Sequence, residues 1–181
     1  MMADPALRPP AGAVAVPPFA AVSVRLDAGD AQLLARVGAA LGLDLPIEPN
    51  TVTGDPDDRH ALWLGPDEWL VIGPAGPAPA IDSAIRSAAG EAFVVTVDVS
   101  ANRVSFELTG PGARELLESG CPIDLHPRAF RAGSCAQTLL ARANVLLHQA
   151  GDEPRYRIWI RPSFARYLAA WLTDAEVGLR S

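Results

Sequence analysis

The side chains able to do chemistry are few, and their spacing limits what they can do. His60, His126 and His148 are far apart, with no HxH or HExxH spacing. His148 ends an apolar run, Leu146-Leu147-His148, so a hydrogen-bonded structural histidine fits it better than a metal ligand or base. Cys121 and Cys135 form no CxxC pair and are too few to close a zinc site. They are expected to be reduced and at least partly buried. Asp67 and Glu68 are neighbours, so their side chains should point apart, unlike the paired carboxylates of a glycosidase. They read as turn residues. Gly110-Pro111-Gly112 opens a helix, whose N-terminus could attract an anion, yet a plain helix start is the simpler reading. No GxGxxG, GxxxxGK[ST] or GxSxG occurs, so no nucleotide cradle or nucleophile elbow is signalled. No catalytic, cofactor-binding or metal-binding residue is therefore assigned.

One surface-like constellation stands out. Over Arg155–Arg161, Tyr156, Ile158 and Ile160 share one strand face, and Arg155, Arg157, Trp159 and Arg161 share the other. A tryptophan among arginines has the composition of an interface hot spot. The same pattern would arise from an edge-strand Trp covered by Arg stems of its own chain.

The elements that position these residues follow from periodicity. Phe93–Gly120 reads as strand, tight turn, strand and helix. Phe93, Val95, Val97 and Val99 lie on one side of the first strand, and Val104, Phe106 and Leu108 on one side of the second. Ala113, Leu116 and Leu117 share a helix face, with Gly120 expected as a left-handed cap. Earlier, residues 21–27 alternate as a strand. Asp30 is a good N-cap for a helix burying Leu33, Leu34, Val37 and Leu41, ended by Gly42. Residues 43–59 read as a long loop. ALWLGPDEWLVIGP (residues 61–74) reads as a hairpin about Gly65-Pro66-Asp67-Glu68, apolar on both faces, with Trp63 and Trp69 in core or interface. A helix carrying Ile81, Ala84, Ile85 and Ala88 inward follows. Residues 134–141, 144–149 and 155–161 read as strands, and Pro162-Ser163 opens a last helix with Phe164, Leu168, Trp171 and Leu172 on one face.

VRLDAGDAQLL (residues 24–34) echoes FELTGPGARELL (residues 106–117). The fold class expected is α+β, with two similar β-α-β-β-α-type, ferredoxin-like halves at roughly 21–98 and 99–181 of one compact domain. Residues 1–20, rich in Pro and Ala, read as an extended arm, either a disordered tail or a segment that orders on a partner.

Of the 181 residues, 49% are hydrophobic, enough for a substantial core. Against 21 Asp+Glu stand 15 Lys+Arg, for a formal charge of −6, which disfavours nucleic acid. All the cations are Arg, which fits either an arginine-biased genome or a partner interface. No apolar run is long enough for a membrane span, and no signal peptide is evident, so a cytoplasmic location is expected.

Taken together, ALWLGPDEWLVIGP, VDVSANRVSFELTGPGARELLESGCPIDLHPRAF, CAQTLLARANVLLHQ and RIWIRPSFARYLAAWL resemble the γ subunit family of heterotetrameric sarcosine oxidase. The resemblance covers most of residues 60–173. More distantly, Asp98-Val99-Ser100 and the G-x-x-A-x-x-L-L helix at Gly110–Leu117 resemble the folate-binding glycine-cleavage T-protein. The resemblance implies an oxidoreductase complex of α, β, γ and δ chains that demethylates sarcosine and passes the one-carbon unit to tetrahydrofolate. It places FAD, FMN, NAD, folate and zinc on other chains, so that this chain binds no cofactor and is structural. T-proteins carry a catalytic acid in the hairpin aligned near Asn144–His148, and here that segment has no carboxylate. The alternatives are a stand-alone folate-binding protein of T-protein type, or an adaptor of another N-methyl amino acid dehydrogenase.

Overall fold

The computed structural model describes Ala13–Ala15, Phe19–Pro74, Gly76 and Ala78–Leu179. The rest of the expected 1–20 arm lies outside the described residues. Where one compact domain with halves at 21–98 and 99–181 is expected, the chain has two compact units that divide between Ala101 and Asn102. One gathers the first strand, β1 (Ala13–Ala15), with the chain from Asn102 onward, and the other runs from Pro18 to Ala101.

The Pro18–Ala101 unit contains β2 (Ala20–Leu26), α1 (Ala31–Leu41), β3 (Val52–Gly54), β4 (His60–Gly65), β5 (Glu68–Gly73), α2 (Ala78–Ala89) and β6 (Val94–Asp98). Its antiparallel sheet has the order β3-β4-β5-β2-β6. Helix α1 starts where Asp30 accepts the Leu33 N–H at 2.9 Å, and stops at Gly42, whose φ of 73° is a left-handed cap. Its face of Leu33, Val37 and Leu41 packs with Ile81 and Ile85 of α2 against Val22, Val24, Trp69 and Val71. The buried Trp69 indole donates to the Pro46 carbonyl at 2.7 Å, which satisfies its polar edge within the core.

The second unit contains β7 (Val104–Thr109), α3 (Ala113–Glu118), β8 (Cys135–Leu140), β9 (Ala143–Gln149), β10 (Arg155–Ile160) and α4 (Ala165–Leu179). Its sheet has the order β1-β7-β10-β9-β8, again antiparallel. Phe106, Leu108, Leu147, Tyr156 and Ile158 pack against Leu116 and Leu117 of α3 and Leu168 and Leu172 of α4.

The two sheets follow one plan. The order β3-β4-β5-β2 in the first matches β8-β9-β10-β7 in the second, and each sheet has one further strand beside β2 or β7. In the first unit that strand is β6, which follows α2. In the second it is β1, from the far end of the chain, with Ala13 opposite Leu108 and Ala15 opposite Phe106. Part of the expected arm is therefore a sheet strand of its own chain. The ferredoxin-like character is mixed α+β, as the periodicity implies.

Four details differ from expectation. The loop expected over 43–59 contains β3, which pairs with β4. Strands β6 and β7 do not pair, since a short 3-10 turn at Ser100–Asn102 separates strands of different sheets. On β6 the buried residue is Thr96, whereas Phe93 and Val97 are 80% and 50% exposed. Gly120 is not among the left-handed glycines. It is small because Trp171 lies against it, with Cη2 only 2.7 Å from where a Cβ would sit.

Candidate functional site

Strand β10 lies between β7 and β9, so it is not an edge. Trp159 stands opposite Ser105 and Leu146, and Arg157 opposite Glu107 and His148. The Trp159 ring is 2% exposed and stacks on the His148 imidazole, with centroids 5.9 Å apart and planes at 9°. Arg157 is buried, and its Nε donates to Glu107 Oε2 at 2.8 Å. Arg155, half-buried, donates to the same oxygen at 3.0 Å. Trp159 and Arg157 are thus interior groups of the chain, and an accessible tryptophan hot spot does not form here. Alternation along one strand shows which residues share a face. It does not show whether that face is covered.

Arg161, the last of the four, is exposed one residue beyond β10. It lines a cavity of about 580 Å³ with Arg103, Gln137, Leu139, Asn144 and Leu146. None of the lining residues is acidic. Val104 and Ile160 are the last registered pair of β7 and β10, and Arg103 and Arg161 adjoin them in sequence. Sequence reading did not single out Arg103, and the pairing register is the only signal that would have found it. Leu139, on the outermost strand β8, is 43% exposed beside this cleft.

The other candidates are placed as follows. His60 and His148 are buried on β4 and β9, and exposed His126 accepts the Arg128 N–H at Nδ1, 3.2 Å away. Cys121 and Cys135 are buried and are not joined in a disulfide. Asp67 and Glu68 flank Arg25, at 3.7 and 2.6 Å, beside the hairpin turn. Gly112 precedes the short helix α3 without a side-chain cap. Among the described residues, no group of three His, Cys, Asp or Glu is placed to hold a metal, and no helix is long and apolar enough to cross a membrane. Asn144 is exposed on β9, and the segment to His148 bears no carboxylate.

Two carboxylates are held below their ordinary range. For Asp82 the main cause is the Thr96 hydroxyl, with Arg86 adding to it and burial opposing. For Asp98 it is the Ser100 hydroxyl at 2.6 Å, then the Ser100 N–H at 2.9 Å. Ser100 Oγ also accepts the Ala21 N–H at 2.9 Å, so this Asp-x-Ser turn ties the end of β6 to β2. It is a structural clamp.

Comparison with known proteins agrees with this geometry. The family model described as sarcosine oxidase, gamma subunit family, matches residues 25–178. The chain is 40% identical over 141 residues to the sarcosine oxidase subunit gamma of Corynebacterium sp. (strain P-1), covering 78% of this chain and 68% of that one. It is 41% identical to that of an Arthrobacter species, with the same coverage. Among solved structures, the heterotetrameric sarcosine oxidase from Corynebacterium sp. U-96 in complex with pyrrole 2-carboxylate superposes with a TM-score of 0.86 at 34% identity, covering 96% of this chain and 89% of that chain. The glycine cleavage system aminomethyltransferase T from Bartonella henselae has a TM-score of 0.64 at 18% identity, covering 92% of this chain and 46% of that one, and shares the fold.

Proposed function

The chain belongs to the sarcosine oxidase gamma subunit family, and on that premise we propose that it is the γ subunit of a heterotetrameric sarcosine oxidase. In this reading it is a structural part of the oxidoreductase that demethylates sarcosine to glycine and transfers the one-carbon unit to tetrahydrofolate. The family match over residues 25–178 is the observation that carries it. FAD, FMN, NAD, tetrahydrofolate and zinc belong to the α, β and δ chains, and the complex works in the cytoplasm. The absence of a carboxylate between Asn144 and His148 supports a chain without aminomethyl-transfer chemistry of its own. Of the Arg155, Arg157, Trp159 and Arg161 set, the accessible members Arg155 and Arg161 meet a partner, while Arg157 and Trp159 form the support beneath them.

The test is co-expression of the tagged chain with the other subunits, followed by native purification and an absorbance spectrum. A flavin-coloured complex of four chains is expected. A chain that oxidises sarcosine alone, or retains a flavin or folate when purified alone, would overturn the reading.

A further inference from the structure

Strand β6 closes one side of its sheet, and its side chains divide between two faces. Val94 packs with the α1–α2 core, and the Thr96 hydroxyl donates to Asp82 of α2. Val95 and Val97 stand opposite Arg25 and Ser23, on the face turned away from those helices. There they are 38% and 50% exposed, and Phe93, just ahead of the strand, is 80% exposed. Together the three leave on the order of 300 Å² of side chain open, a size at which a monomer's apolar patch is often functional. No charge interrupts the row, although exposed edge strands are ordinarily guarded by one.

The surroundings narrow the occupant. A stable dimer buries about 800 Å² on each partner, so this row cannot hold a second copy by itself and belongs to a wider contact surface. At the middle of β6 the Thr96 carbonyl accepts the Arg86 guanidinium at 3.2 Å, and Arg86 is itself paired with Asp82. A further strand added to this edge would have to displace that group, so the occupant lies on the side chains. Exposed Glu91 and Asp98 bracket the row in sequence, which disfavours an acidic lipid surface. Alternate residues on a strand recur at about 6.8 Å, close to the ~6 Å between positions i and i+4 of a helix.

We propose that Phe93, Val95 and Val97 dock an amphipathic helix of a partner subunit, laid along β6 with apolar residues at i, i+4 and i+8 and with Lys or Arg near its ends, toward Glu91 and Asp98. This rests on the subunit reading above, and it adds the address and the chemistry of one contact.

The experiment is co-expression with the other subunits, comparing wild type, Phe93→Ala and the triple variant Phe93→Ser/Val95→Thr/Val97→Thr. Native mass spectrometry over a dilution series measures assembly, and circular dichroism measures each variant's thermal unfolding. Phe93→Ala should bind about tenfold more weakly, and the triple variant more than about a hundredfold. Unfolding midpoints should stay within about 3 °C of wild type, because the side chains changed are exposed. A second measurement places the photo-cross-linker p-benzoylphenylalanine at position 93 of the assembled complex, and its adduct should map to a helix of another subunit. Assembly of both variants at wild-type affinity would overturn the docking proposal and leave the subunit reading intact. An adduct on a second copy of this chain, or none on another subunit, would do the same. A wild-type chain that never joins the complex would overturn both.

Discussion

Replacing Trp159 with alanine separates an interior tryptophan from an interface one. As an interface hot spot, Trp159 could be removed with loss of partner binding and little loss of stability. The structure gives the opposite expectation. The ring is 2% exposed, lies on the central strand of a five-stranded sheet between Ser105 and Leu146, and stacks on His148. Truncating a buried Trp to Ala costs about 3–5 kcal/mol, as transfer energy plus the cavity left behind. That is a large share of the ~5–15 kcal/mol that holds a domain folded. At roughly 2–4 °C per kcal/mol for a chain of this size, the midpoint should fall by about 6–20 °C. The assay is thermal and urea unfolding of the full chain followed by circular dichroism. A double-mutant cycle with His148→Ala should return a coupling of about 0.5–1.5 kcal/mol from the stacked rings. A midpoint lowered by less than ~3 °C, with partner assembly abolished, would refute the burial reasoning and restore the hot-spot reading.

Two further perturbations test other parts of the fold. Gly120→Ala places a methyl against Trp171 and should cost about 1–3 kcal/mol, recovered in part by Trp171→Leu; equal midpoints in urea for Gly120→Ala and wild type would contradict the packing described. Asp98 has a folded-state pKa below its ordinary 3.8, so its contribution is complete above that value and is lost as the pH falls through the lowered one. Asp98→Asn should therefore lower stability at neutral pH and flatten the acid limb of a stability-against-pH curve; an unchanged acid limb would remove Asp98 as a clamp.

Local chemistry made much of the architecture readable. Asp30 and Gly42 bracket α1 because a side-chain oxygen and a left-handed residue satisfy groups that any helix leaves open. The hairpin at Pro66-Asp67 and the strands ending in Gln149 and Ile160 follow from alternation and turn residues. What stayed hidden depended on distant partners. β3 is three residues long among prolines and aspartates, and only β4 makes it a strand. β1 is Ala-Val-Ala in a Pro-rich stretch, and only β7 makes it one. Trp159 and Arg157 look like surface until Glu107, Leu146 and His148 are brought beside them.

The pairing of β1 with β7 also sets an order of events during synthesis. Ala13–Ala15 leave the ribosome well before the residues they pair with, Phe106–Leu108. At ordinary elongation rates that is a wait of roughly 5–20 s, long enough for the intervening Pro18–Ala101 unit to form by itself. A nascent chain stalled before Phe106 would therefore display β1 without its mate, as a ready handle for a chaperone or a protease.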